Sequence, residues 1–362
     1  MTAASLEGFS SYVREVDGEC LFVKVVDNFL FCGSRSGDVA CWDICSGTEL
    51  WRLSFEGPCT DSDFDDGVFF FTESENVHAI QVDSGGLIWS TKLEGSSDFI
   101  VVSNDFVWVT SSVYNFEIQD YSEGSVWQIN LEGEVRNRWD VEGRAWSLLN
   151  QDGKLVLGLS RPNSGYAIVS DSGLEFPDMG QQEPVTVGNG GGSGPVVLGH
   201  GNGMVSKIVN HTIEYVSQFD SSVQAIDYFC GWVVGLDSGE VASSIEYDSW
   251  SVKLDGMIDV LCFGPSLDSE RGVWVPSWRD GGTVIFLINP NGGNVELQIF
   301  HKSRIVSAFS DEEVICFGDA DGCVFVIEGE VLRRRFAQPM EEVSDEDRRS
   351  ELRRKIRGLR GS

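Results

Sequence analysis

One cassette recurs along almost the whole chain, and it limits the possible folds more than any other feature. An apolar triplet runs into glycine; a short Asp/Ser/Gly turn follows, then an alternating segment, a second glycine turn and an aromatic residue. The clearest copy is Phe29-Leu30-Phe31-Cys32-Gly33, Ser36-Gly37-Asp38, Val39-Ala40-Cys41-Trp42-Asp43, Ser46-Gly47 and Trp51. A period of roughly 35 to 50 residues belongs to repeat architectures, where each unit covers its faces with its neighbours because it cannot bury them alone. A chain of 362 residues with 41% hydrophobic content would otherwise divide into two or three domains. The repeat predicts a single ring with a tail.

Eight copies start near Leu21, Thr60, Asp98, Ala145, Pro184, Val223, Ile258 and Ile305. Their second segments, such as Val107-Trp108-Val109, Val196-Val197-Leu198-Gly199 and Val314-Ile315-Cys316-Phe317-Gly318, are short apolar runs, as strands covered on both faces require. Glycines ahead of the third segments, in Gly239-Glu240-Val241, Gly282-Thr283-Val284 and Gly322-Cys323-Val324, suit turns that need φ > 0. Four strands per unit make a blade. The expected fold is therefore all-β, an eight-bladed β-propeller of four-stranded antiparallel blades over residues 1–336. The fourth strands carry Trp51, Trp89, Trp139, Phe176, Tyr215, Trp250, Phe300 and Phe336, expected to pack between blades. Tyr12 to Gly18 repeats the aromatic-to-glycine step of Trp51 to Gly57, so the strand from Ser10 to Val16 is expected to close the eighth blade, beside or instead of Val331–Phe336.

The stretch from Ala40 to Trp51 resembles the pyrroloquinoline-quinone-type repeat, and the stretch from Ala79 to Trp89 is similar, with Gln81 in place of the aspartate. Trp42-Asp43 also looks like a WD-repeat dipeptide, although the other units do not renew it. The resemblance implies eight blades and two very different occupations. Quinoprotein dehydrogenases hold the quinone and Ca²⁺ in the central funnel beside vicinal cysteines, whereas an outer-membrane assembly lipoprotein propeller has no cofactor and acts as a scaffold. This chain has no Cys-Cys pair. It reads as a cofactor-free member.

Charge narrows the partners. The net charge is -31; the seven basic residues and one acid between Arg348 and Ser362 make that stretch +6, which leaves the remainder at -37. Such a body repels nucleic acid and anionic membranes, so only the tail is a candidate for nucleic acid contact. Nine cysteines without a Cys-x-x-Cys, and four scattered histidines, read as reduced core residues rather than zinc ligands. The N-terminus has neither a basic nor an apolar leader region, and no apolar run is long enough to span a bilayer. The expected setting is a monomer in the cytoplasm.

Several motifs suggest chemistry and have a plainer explanation. Asp61-Ser62-Asp63-Phe64-Asp65-Asp66 has the spacing of a calcium loop, but Asp66 and Thr72 stand where Gly and Glu are needed. Gly188 to Gly194 and Gly199 to Gly203 lack the Lys-Ser/Thr and the helix of a phosphate cradle, and Asp319-Ala320-Asp321-Gly322 reads as a blade turn. No catalytic, cofactor or metal residues are assigned. Trp278 reads as a turn residue and an exposed contact. In the tail, expected to be helical over residues 337–362, Leu352, Ile356 and Leu359 form an apolar stripe alongside Arg353 and Arg357. The expected function is a non-catalytic scaffold that binds a protein partner. The alternative is a funnel-site hydrolase, lyase or oxidoreductase using inward acids such as Asp61, Asp63, Asp227 and Asp259.

Overall fold

A computed structural model describes residues 5–170, 173–177, 183–245, 248–268 and 271–337. The chain opens with helix α1 (Leu6–Phe9) and strand β1 (Tyr12–Glu15), then lays down blades in sequence order. Blade 1 is β2 (Cys20–Val26), β3 (Phe29–Ser34), β4 (Asp38–Asp43) and β5 (Glu49–Ser54). Blade 2 is β6 (Cys59–Asp65), β7 (Val68–Glu73), β8 (Asn76–Gln81) and β9 (Gly86–Lys92). Blade 3 begins with β10 (Ser96–Ser103), β11 (Phe106–Asn115) and β12 (Asp120–Asn130). The long strand β13 (Val135–Gln151) then serves two blades: Val135 to Glu142 pairs with β12, and Gly143 to Gln151 pairs with β14 (Lys154–Pro162). Blade 4 continues through β15 (Gly165–Ser170) and β16 (Gly173–Glu175).

Blade 5 is β17 (Val185–Gly190), β18 (Val196–His200), β19 (Met204–Val209) and β20 (Thr212–Gln218). Blade 6 is β21 (Val223–Tyr228), β22 (Trp232–Leu236), β23 (Glu240–Ile245) and β24 (Asp248–Lys253). Blade 7 is β25 (Cys262–Gly264), β26 (Gly272–Arg279), β27 (Gly282–Ile288) and β28 (Val295–His301). Blade 8 takes β29 (Ile305–Ser310), β30 (Val314–Asp319) and β31 (Cys323–Glu328) from the end of the chain and β1 from its beginning, with Tyr12 opposite Val326 and Arg14 opposite Val324. The eight-bladed all-β ring and its closure by the N-terminal strand are as the repeat predicts.

The apolar triplets follow from this geometry. Successive side chains of a strand point to opposite faces, and both faces of a blade meet another blade. Leu30 and Cys32 of β3 therefore join Cys316, Val324 and Val326 of blade 8, while Phe31 joins Phe69, Phe71 and Ile80 of blade 2. Phe31 and Phe69 stack with centroids 4.2 Å apart. The glycine ending the second strand makes room for the next blade. A Cβ on Gly199 would lie 2.4 Å from Val223 Cγ1, and one on Gly318 would lie 2.6 Å from Cys20 Sγ.

The aromatic anchors divide into two kinds. The Trp89 and Trp250 indole N–H groups donate to Leu131 and Pro290 carbonyls of the following blade, at 2.8 and 2.7 Å, and the Trp51 N–H donates to Val82. Each of these rings lies against a glycine of the turn it bonds, at Gly133, Gly293 and Gly85 respectively. Tyr12 repeats the device across the ring closure, its hydroxyl donating to Ile44 at 2.7 Å. Phe176 and Phe300 are exposed instead. Phe336 is not on a strand at all: residues Gly329–Ala337 form helix α2, which places Val331 to Phe336 outside blade 8. The physical reason is that β1 already occupies the free edge of β31, and Val331-Leu332-Arg333-Arg334-Arg335 is rich in helix-favouring Leu and Arg. Leu332 is buried, and Arg333 donates to the Ser266 carbonyl at 3.2 Å.

Candidate functional site

The inner strands line a channel in which two cavities share Val187 and Gly188. One, of about 450 Å³, lies along blades 5 to 8 and is lined by Asn189, Asp227, Asp259, Arg271, Phe309 and Ser310 among others. The second, of about 310 Å³, lies along blades 1 to 5 and is lined by Lys24, Asp61, Asp63, Phe99, Trp146 and Leu149 among others. All four inward acids named from the sequence reach these walls.

Each of them is engaged in holding blades together. Asp61 accepts the Ile100 N–H at 2.9 Å and Asp63 the Val102 N–H at 2.7 Å, both from blade 3. Asp63 also pairs with Lys24 of blade 1. In the other half of the ring Asp227 accepts the Phe263 N–H of blade 7 at 2.7 Å, and Asp259 accepts from Nε and Nη2 of Arg304 at 2.8 and 2.7 Å. Burial pushes the carboxyls of Asp61 and Asp227 up to about 6, against the lowering effect of the amides they accept from. Hydroxyls add to the stitching: Thr60 donates to the Ser97 carbonyl, Thr186 to Val223 and Ser307 to Cys20, each across a blade boundary.

The arrangement is therefore a series of carboxylate and hydroxyl clasps around the channel. Among the described residues, no three His, Cys, Asp or Glu side chains converge to hold a metal ion. The calcium-loop spacing falls on strand β6 from Asp61 to Asp65, with Asp66 in the turn after it, and two of its carboxylates are bonded to blade 3 amides. The glycine-rich stretch forms the β17–β18 hairpin, where Gly188 abuts Ser147 of the blade before it. Asp319 caps its own turn, accepting from the Asp321 and Cys323 N–H groups, and its other oxygen lies 2.8 Å from His301 Nε2.

Trp278 lies in strand β26, not in a turn; it is half-buried and exchanges two 2.8 Å backbone bonds with Met257. Strand β26 runs through it to Arg279, and the turn at Asp280 and Gly281 follows. Leu352, Arg353, Ile356, Arg357 and Leu359 lie outside the described residues.

A surface that the sequence reading did not identify stands on blade 3. The β11–β12 hairpin outgrows its counterparts and exposes Val113, Tyr114, Phe116 and Ile118. Tyr114 packs edge-on against Phe116 and Tyr121, each at 5.2 Å. The Arg144 guanidinium lies over Tyr121 at 4.9 Å and over Trp146 at 4.8 Å, donates to the Tyr121 hydroxyl at 2.9 Å and pairs with Asp98 at 2.8 Å. Rings and guanidinium thus form a continuous ladder from the hairpin tip to the channel wall at Trp146. Other blades place polar residues at the corresponding turn, where this one has Phe116 and Ile118.

Comparison with known proteins agrees with this architecture. Residues 35–173 match the family model described as outer membrane protein assembly factor BamB. The match covers the part of the chain that carries the two clearest repeats, and the fold is a β-propeller. No curated protein matches it. The crystal structure of BamB from Moraxella catarrhalis is similar with a TM-score of 0.68 at 14% identity, covering 88% of this chain and 99% of that one. Saccharomyces cerevisiae Sqt1 gives 0.71 at 12% identity, covering 90% and 99%. The computationally designed Ika8 protein gives 0.70 at 18% identity, covering 87% and 98%. At these identities the likeness is one of fold.

Proposed function

We propose that this propeller is a non-catalytic, cytoplasmic scaffold that binds a protein partner. The observation that carries the reading is the exposed apolar hairpin of blade 3, since contiguous exposed apolar groups on a folded surface mark interaction sites. The description of the matching family as an assembly factor supports it, because such an occupation is one of binding. The channel acids support it from the other side: each has an oxygen engaged in a bond between blades, a structural role.

The charged segment after α2 is proposed as a second contact, with Leu352, Ile356 and Leu359 presenting an apolar stripe between Arg353 and Arg357, and Trp278 as an auxiliary one. Neither α1 nor α2 is long and apolar enough to cross a membrane. Affinity capture with the tagged full chain tests the reading. A polypeptide retained in stoichiometric amount, and lost with Leu352→Asp/Ile356→Asp, is the expected result. Metal- or ligand-dependent turnover without any retained polypeptide would replace the scaffold with the funnel-site enzyme.

A further inference from the structure

The hairpin on blade 3 has a defined chemistry. Phe116 is 85% exposed, Ile118 60% and Tyr114 41%, so three large apolar side chains face solvent at one turn. They are held rather than loose: β11 and β12 stay paired out to Asn115 opposite Asp120, and the Asn115 side chain accepts the Glu117 N–H at 2.9 Å. Exposed acids interleave with them, at Glu117 and Glu123 on the hairpin and Glu142 beside it. The nearby cations are taken, Arg144 by Asp98 and Arg161 by Asp120 at 3.5 Å. Among the described residues Glu117 and Glu123 form no ion pair.

Building on the scaffold reading, we propose that this hairpin docks a cationic polypeptide segment carrying an apolar side chain. The apolar group packs on Tyr114, Phe116 and Ile118, and flanking lysine or arginine residues meet Glu117 and Glu123. Charge selects this occupant. Polyanions and anionic lipid surfaces are repelled by the same carboxylates that attract a basic segment, and the ladder through Tyr121 and Arg144 fixes the platform so that little ordering is lost on binding.

A fluorescent peptide of residues 348–362, which is +6 and contains Leu352, Ile356 and Leu359, serves as probe. The receptor is the full chain carrying Leu352→Asp/Ile356→Asp, so that its own segment does not compete. Anisotropy at low salt should show saturable binding, weakened about tenfold or more by Phe116→Asp/Ile118→Asp and by about 0.5 M salt. Glu117→Lys/Glu123→Lys changes only exposed side chains and should weaken it to a similar degree, while the melting curve confirms that both variants are folded. Absence of binding, or binding indifferent to both pairs of substitutions, overturns the assignment. So does equal binding of a peptide with its arginines changed to glutamine, or hairpin-dependent binding of phosphatidylglycerol vesicles in place of the peptide. Stoichiometric capture of a partner that survives both hairpin variants keeps the scaffold reading and removes the hairpin from it.

Discussion

Gly199 and Gly201 separate packing from backbone conformation at the scale of single residues. Neither has a positive φ, but a Cβ at Gly199 meets Val223 of the next blade at 2.4 Å, whereas at Gly201 its nearest contact is 3.8 Å away. Gly199→Ala should therefore cost about 1–3 kcal/mol by overpacking, and Gly201→Ala should stay within about 0.5 kcal/mol; chemical denaturation of the two variants measures both. The channel carboxyls give a pH signature with a definite sign. Asp61 and Asp227 hold their protons up to about 6 in the folded chain, above the ordinary carboxylate value of 3.8. The native state then binds more protons than the unfolded one between those values, so these groups favour folding at the acid end and lose that contribution as pH rises through about 6. Asp61→Asn/Asp227→Asn should flatten the dependence of melting temperature on pH in that window relative to the parent. A parallel pair of curves would show that burial leaves these carboxyls unshifted.

At the scale of elements, ring closure depends on a strand of four residues. β1 pairs with β31, Tyr12 reaches Ile44 of blade 1, and Arg14 donates through Nε to the Gly47 carbonyl at 2.6 Å. Removing residues 1–17 should open the seam between blades 8 and 1, lower the melting temperature and broaden the transition; an unchanged melting curve would contradict the closure. This strand was legible because its aromatic-to-glycine step copies that of a fourth strand, and the glycines late in the second strands of blades 1, 4, 5, 6 and 8 were legible as places of close approach between blades. Helix α2 was not, since Val331 to Phe336 stands where the last unit's fourth strand would fall, and the occupation of the β31 edge by β1 is a tertiary fact. The hairpin of blade 3 was hidden for a different reason. Alternating Tyr114, Phe116 and Ile118 look like a buried strand, and which residues lie beyond the neighbouring blades is a tertiary fact. The channel acids were placed correctly on the inner wall, but their engagement by amides of the next blade depends on register between blades, which one strand's sequence does not contain.

For the whole molecule, cohesion lies in the channel, and recognition is proposed for the outer surface. The inner carboxylates and hydroxyls clasp successive blades, the outer tryptophans repeat the same connection at the rim, and the exposed chemistry is concentrated where blade 3 rises above the ring. Asp63→Ala/Asp227→Ala tests this division most directly, with thermal unfolding and partner capture measured on the same preparation. The variant loses the Lys24 ion pair and the acceptors of the Val102 and Phe263 N–H groups between blades, so a lower melting temperature is expected, with capture retained below the transition. An unchanged melting temperature together with lost capture would contradict it, and would make the channel the functional site.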